Sequence, residues 1–230
     1  MQMADKISKG KLTFSQKIQQ FKDYYLGRTL AVLAVLALII YMASRLLAPK
    51  EEADLTIAVF DTDLSAGALQ EMEQAVRTSL NLPEDAVIVI DTGYVSSNTN
   101  EYTRLSLLSA NGQVDAVIAG REAFSELAGF GYFKDLSQFL PENMLSSYAG
   151  QLVSCKYESD ALAENAQQKG ELASGEYPFG LSLEDSALWN SMTAESSIKP
   201  AGPVAGVILE SGNDRNVIGL LRVLMGQESR

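Results

Sequence analysis

Histidine is missing from the 230 residues of this chain, and cysteine occurs once, at Cys155. Without histidine the chain has no Ser–His or Cys–His catalytic pair, no His-ligated metal site and no imidazole that titrates near neutral pH. A single cysteine excludes an intramolecular disulfide and a zinc site built from cysteines. Cys155 stands in an apolar segment, so we expect it to behave as a small buried hydrophobic residue.

Basic residues are scarce after residue 50. Residues 51–230 carry ten Lys and Arg against 27 Asp and Glu, whereas residues 1–50 carry eight against two. A domain this acidic repels a phosphate backbone, so we expect no nucleic-acid partner. The opposite sign of the first 50 residues indicates that the two parts of the chain meet different surroundings.

The first part of the chain contains one long apolar segment. Residues 29–44 hold no charge and are bracketed by Arg28 and Arg45. If Arg45 extends its charged end to the interface, the apolar length continues to residue 48 and reaches about 30 Å, the thickness of a hydrocarbon core. We therefore predict a transmembrane helix over residues 29–48, with membrane lipid as its partner. The alternative is a core helix of a soluble domain.

Charges on the two sides of this segment predict its orientation. Lysines precede it, and Glu51, Glu52 and Asp54 follow it closely. The positive-inside rule then places the N-terminus in the cytoplasm and the C-terminal part outside, in a single-pass protein of the cell membrane. The predicted layout is a cytoplasmic basic tail at 1–28, the transmembrane helix at 29–48, a linker at 49–53 and an extracytoplasmic domain at 54–230.

After the linker, short apolar runs alternate with segments whose apolar residues recur at helical spacing. Predicted strands cover residues 55–60, 86–90, 114–120, 151–157, 177–183 and 203–209. Predicted helices cover residues 66–80, 101–110, 121–129 and 185–193, and a last helix, capped by Asn213 or Asp214, runs through Met225. Strands that are apolar throughout and separated by helices are typical of a sheet covered on both faces. The sequence therefore predicts an α/β domain with a doubly wound, mainly parallel sheet.

Two carboxylates follow the first predicted strand in the stretch "AVFDTDLSAG". The pair Asp61-x-Asp63 is similar to the opening motif of haloacid-dehalogenase-like phosphotransferases. In that family the first Asp attacks phosphorus and the second acts as general acid and base. Thr92 is available as the hydroxyl residue after the next strand, but no acidic pair for Mg²⁺ follows the third. The other interpretation is that both residues shape a turn and cap the next helix.

A second resemblance extends further along the chain. The run "VDAVIAGREAFSELAGFGYFKDLSQFLPENM" resembles a segment of the extracellular solute-binding proteins, in its Asp115-Ala-Val-Ile strand and its turn from Gly131 to Asp135-Leu136. The stretches "YPFGLSLEDSALW" and "VAGVILESGNDRNVIGLLRVLMG" resemble later strands of the same family. The resemblance implies one lobe of the type 2 periplasmic-binding-protein-like fold. Only residues 141–175 stand where the family inserts a second lobe, so the domain is truncated relative to that family.

Under this resemblance, ligands meet the carboxyl ends of the strands, as in open α/β sheets generally. The candidate binding residues are Asp61, Tyr94, Arg121 and Ser182, and no catalytic residue, metal or cofactor is expected. We expect a non-enzymatic, membrane-anchored domain of a bacterial-type cell envelope, which binds a small solute weakly or contacts other envelope proteins. The alternatives are a membrane-tethered Mg²⁺-dependent phosphohydrolase using Asp61 and Asp63, and a purely structural subunit of a membrane complex.

Overall fold

The computed structural model describes residues 26–47, 53–157 and 174–226. The chain divides into two compact units, Met1–Lys50 and Glu51–Arg230. Most of the predicted cytoplasmic tail and most of the predicted linker lie outside the described residues. The boundaries predicted for the four segments therefore stay predictions.

The described part of the first unit is a single helix, α1 (Leu26–Leu47). Apolar side chains such as Leu30, Val35 and Ile40 are each more than half exposed along it. In the part of the chain that the structure describes, no helix combines the length and the hydropathy needed to cross a membrane. The side chains of Arg28 and Arg45, which were predicted to flank a span, are outside the described part.

The second unit is built on a sheet of six strands in the order β2-β1-β3-β6-β5-β4. The strands are β1 (Leu55–Phe60), β2 (Ile88–Tyr94), β3 (Ala116–Gly120), β4 (Leu152–Tyr157), β5 (Gly175–Ser182) and β6 (Pro203–Val207). Each predicted strand has a counterpart. The second strand begins later than predicted and continues through "DTGY", which the sequence indicated as a loop.

The directions of the strands differ from the prediction of a mainly parallel sheet. Strand β1 is parallel to both β2 and β3, whereas β6 is antiparallel to β3 and β5, and β4 is antiparallel to β5. The α/β class is confirmed, and the sheet is mixed. The reason lies in the connection before β6, whose only helix, Ala187–Met192, has six residues. At about 9 Å, that helix is shorter than a strand and does not return the chain to the opposite edge of the sheet.

Helices cover both faces of the sheet, as predicted for a doubly wound domain. They are α2 (Ala66–Leu80), α3 (Thr99–Ala110), α4 (Arg121–Gly129), α5 (Leu136–Phe139), α6 (Glu142–Ser147), α7 (Ala187–Met192) and α8 (Asp214–Leu224). Helices α2, α7 and α8 bury residues in the hydrophobic cluster on one face, and α3 and α4 do so on the other. Strand β1 serves both clusters, because alternate residues such as Ile57 and Ala58 point to opposite faces.

Local signals explain where the helices begin. Ser65 caps α2 by accepting a hydrogen bond from the Ala68 N–H at 3.2 Å, as predicted from the sequence. Met72 and Val76 are fully buried one turn apart on the same helix.

Cys155 is 5% exposed on β4, which confirms its predicted place in the core, and burial raises the pKa of its thiol.

Candidate functional site

A cleft of about 660 Å³, lined by both charged and apolar groups, lies at the edge of the sheet where β1, β2 and β3 end. The chain leaves β1 for β2 through α2 on one face and returns past β1 to β3 through α3 on the other. Open α/β sheets bind their ligands at such a switch point, outside the carboxyl ends of the strands. The lining residues are Asp61, Ser96, Ser97, Tyr102, Gly120, Arg121, Glu122, Ala123, Ser125, Glu126, Lys199, Pro200 and Ala201.

Asp61 connects the turn after β1 to the loop after β2. Its N–H donates to the Tyr94 carbonyl at 2.9 Å, and its Oδ1 accepts the Ser96 N–H at 2.9 Å. Its φ of 50° lies in the left-handed region, which Asp and Asn enter more readily than most residues. One carboxylate oxygen is therefore used to hold two strand ends together beside the cleft.

Asp63 holds a different segment, residues 194–202, which we call the strap. The strap joins α7 to β6 and contributes Lys199, Pro200 and Ala201 to the lining of the cleft. Asp63 Oδ1 accepts the Ile198 N–H at 2.8 Å, and Oδ2 accepts the Ser197 hydroxyl. The hydrogen bond from Ser197 and the one from Ile198 lower the pKa of Asp63.

Two cationic side chains line the cleft, one from helix α4 and one from the strap. Arg121 is the first residue of α4, and its N–H donates to the Ala201 carbonyl at 3.0 Å. Lys199 lies on the strap, where its Nζ donates to the Ala194 carbonyl at 3.3 Å. Within the described residues, neither side chain is part of a salt bridge. Both charges are therefore available to a solute.

Negatively charged side chains surround Tyr102, which lies on α3. Its hydroxyl donates to Glu126 Oε2 at 3.1 Å. Burial of the ring, followed by the negative charge of Glu126, raises the pKa of Tyr102 to about 12, and Asp61 and Glu122 add to the effect. The cleft thus presents carboxylates, a neutral phenol and two cations, which suits a solute with several polar groups.

Helix α4 reaches its position because two glycines lie beneath it. The Phe124 ring sits over Gly180 and Gly206, which face each other across β5 and β6. A Cβ at Gly206 would lie 2.6 Å from Cε2 of Phe124. The same ring stacks on Phe133 with 4.3 Å between centroids. This close packing of α4 places Arg121 at the rim of the cleft.

The four residues predicted for a binding site are not brought together. Asp61 and Arg121 line the cleft, but Tyr94 and Ser182 do not. Tyr94 is 1% exposed and packs on Phe60, beneath the Arg104 guanidinium. Ser182 ends β5 at the same edge of the sheet, but β6 separates it from β3, and its hydroxyl accepts the Glu184 N–H.

Several lining residues were not predicted from the sequence, above all Lys199 and Ala201 on the strap. The strap reaches the cleft only because β6 is antiparallel and therefore begins at the edge where β3 ends. Tyr102 and Glu126 were missed because their predicted helices carried no sign of which face met the cleft. Their spacing along the chain, 24 residues, is no local signal.

The described residues contain no group of three or more His, Cys, Asp or Glu side chains placed to hold a metal ion. The carboxylates of Asp61 and Asp63, which the phosphotransferase resemblance would require to act together, bind different loops.

Comparison with protein-family models, with curated proteins and with solved structures finds no match to this chain.

Proposed function

We propose that this chain is a membrane-anchored, non-enzymatic binding module whose cleft holds a small polar solute. The observation that carries the proposal is the position and lining of the cleft. It lies at the switch point of the sheet, and Arg121 and Lys199 face it with charges that no salt bridge neutralises in the described part of the chain. The resemblance of residues 114–144 to solute-binding proteins supports the same function.

The lining favours a solute that carries both donors and acceptors. Arg121 and Lys199 donate, while Asp61 and Glu126 accept. An apolar solute would remove these groups from water without replacing their hydrogen bonds, which costs free energy. A solute held in the cleft rests on a single α/β unit, so the proposed binding is weak.

The alternative of a phosphohydrolase is less favoured by the geometry. That chemistry requires Asp61 and Asp63 to reach one phosphorus, but Asp63 uses both carboxylate oxygens on the strap and Asp61 uses one on Ser96. Release of the strap would have to precede any shared reaction. A test for Mg²⁺-dependent hydrolysis of a generic phosphoester, repeated with Asp61→Asn, distinguishes the two functions.

We further propose that the segment of residues 29–48 anchors the module in the cell membrane, with the cleft on the extracytoplasmic side. The support is the uncharged run of residues 29–44, the basic residues before it and the acidic residues after it. The described apolar side chains of α1, such as Leu30, Val35 and Ile40, are exposed, which would suit contact with lipid. The anchor would hold the binding unit near other proteins of the envelope, which are its proposed partners.

Solute binding is tested by a thermal-shift screen of the full chain in detergent micelles. The library contains sugars, amino acids, short peptides, phosphoesters, Mg²⁺ and Ca²⁺. A solute at 100 times its Kd stabilises the folded state by about 2.7 kcal/mol, which raises the melting temperature measurably. Arg121→Ala and Lys199→Ala should remove the shift, and Asp85→Ala, an exposed carboxylate before β2, should keep it.

Two results would oppose the binding function. A shift that survives both Arg121→Ala and Lys199→Ala would place the solute elsewhere. A domain that responds to no solute, but whose partners are lost on deletion of residues 1–50, would support the purely structural subunit instead.

The anchor and its orientation are tested separately. In intact cells, an external protease should digest residues 53–226 and leave an N-terminal tag protected, and alkaline extraction should leave the chain in the membrane fraction. Recovery in the soluble fraction would contradict the anchor. Protection of the C-terminal part would contradict the orientation.

A further inference from the structure

The strap is attached to the rest of the second unit at few points. Its first residues turn back onto α7, through the Ser196 N–H and the Thr193 carbonyl. At its far end the Ala201 carbonyl accepts the Arg121 N–H at 3.0 Å. Between these ends, the side chain that holds it to the turn after β1 is Asp63.

Apolar packing contributes little to the middle of the strap. Ser197 and Lys199 are exposed, and Ile198 is 56% exposed. Segments with few buried apolar contacts open locally at low free-energy cost. Two hydrogen bonds to an ionised carboxylate are therefore the main contribution to the position of the strap there.

We propose that Asp63 is a positioning residue: it holds the strap in the place where Lys199 and Ala201 form one wall of the cleft. Asp63 does not line the cleft itself. The role of that wall in solute binding rests on the proposed function, but the hold of Asp63 on the strap does not. The lowered pKa of Asp63 agrees with a carboxylate that stays ionised and bonded at neutral pH.

The contact between Arg121 and Ala201 makes the proposal specific. It lies on the wall of the cleft, at a different point of the strap from Ile198. The N–H of a first helical residue has no partner within its own helix. Its protection from exchange therefore reports whether the strap is in place.

The test is hydrogen exchange of the full chain in detergent micelles at neutral pH, comparing wild type with Asp63→Ala. Loss of hydrogen bonds to a charged group should accelerate exchange of the Ile198 amide by roughly tenfold or more. The Arg121 amide should accelerate with it. Asp63→Asn keeps an oxygen acceptor for the Ile198 N–H, so it should show a smaller rise at both amides. Asp85→Ala removes one exposed carboxylate elsewhere and should match wild type.

Three outcomes would overturn the proposal. The Ile198 and Arg121 amides could exchange as in wild type, which would show that the strap does not depend on Asp63. Ile198 alone could accelerate, which would limit Asp63 to its own contact. The amides of α2 could accelerate by the same factor, which would show that Asp63 supports the whole unit. None of these readouts uses a solute, so failure of the solute screen leaves this test unaffected.

Discussion

The Ser211 hydroxyl donates a 2.6 Å hydrogen bond to Oδ1 of Asp115, a buried carboxylate 96 residues earlier in the chain. Oδ2 of the same carboxylate accepts the Thr56 N–H at 2.7 Å, and the Asn213 amide donates to both oxygens. Asp115 thus joins the start of β1, the start of β3 and the turn before α8. These hydrogen bonds lie at the starts of β1 and β3, the opposite ends of the strands from the cleft.

Asp115→Asn should destabilise the second unit by about 3 kcal/mol, because an amide turns one acceptor into a donor that faces other donors. Urea unfolding of the full chain in micelles measures the loss. Trp189, the single tryptophan, is 2% exposed in this unit and reports its unfolding by fluorescence. The exposed control Asp85→Asn should change stability by less than about 0.5 kcal/mol. Equal effects of the two substitutions would contradict the assigned role of Asp115.

The sequence placed Asp115 near the start of the predicted strand 114–120, but did not indicate what the carboxylate does. Its partners Ser211 and Asn213 are nearly a hundred residues away, and no local pattern connects them. The elements themselves were largely predictable. Helices α2 and α4 and strand β1 have the predicted bounds, because apolar periodicity and caps such as Ser65 are local signals.

Strand direction could not be predicted in the same way. A buried strand such as β6 is apolar throughout whichever way it runs, so the composition of "VAGV" does not indicate whether the strand is parallel or antiparallel to its neighbours. The strap, and with it Lys199, was therefore absent from the predicted site. Tyr94 was misplaced for a related reason: the ladder with β1 extends β2 through Gly93, a residue that propensity assigns to a loop.

Gly206→Ala should destabilise the unit by about 1–3 kcal/mol. The added methyl would meet the Phe124 ring at 2.6 Å, and the stacked Phe133 limits how far that ring can retreat. Gly212→Ala is the matched control, because nothing lies within 4 Å of its added Cβ. Thermal unfolding of both variants measures the difference. A neutral Gly206→Ala would show that α4 is not held close to the sheet by the glycines.

The raised pKa of Tyr102 makes the stability of the second unit depend on pH in the alkaline range. Its pKa is raised to about 12 in the folded chain, above the ordinary value of about 10 that it takes when unfolded. The folded state therefore keeps a proton that the unfolded state releases, so stability falls as pH rises from about 10 to about 12. Wild type should lose more stability across that interval than Tyr102→Phe. Ultraviolet titration of tyrosinate should show one fewer late-titrating group in the variant.

Asp61 should tolerate Asn better than Ala. At φ 50°, Asn is accommodated and its oxygen still accepts the Ser96 N–H, so Asp61→Asn should cost less than about 1 kcal/mol. Asp61→Ala loses that hydrogen bond and puts at φ 50° a residue that tolerates the left-handed region less well than Asp or Asn, so it should cost about 2 kcal/mol or more. Urea unfolding followed through Trp189 measures both variants.

The order of these two effects separates a structural role for Asp61 from a chemical one. If Asp61 mainly ties the turn after β1 to the loop after β2, Asn preserves its hydrogen bond and Ala does not. If Asp61 were a nucleophile, Asn and Ala would abolish activity equally, whatever their stability. Similar destabilisation by both substitutions would mean that the negative charge, rather than the hydrogen bond to Ser96, holds the turn, and would count against the geometry described for this edge of the cleft.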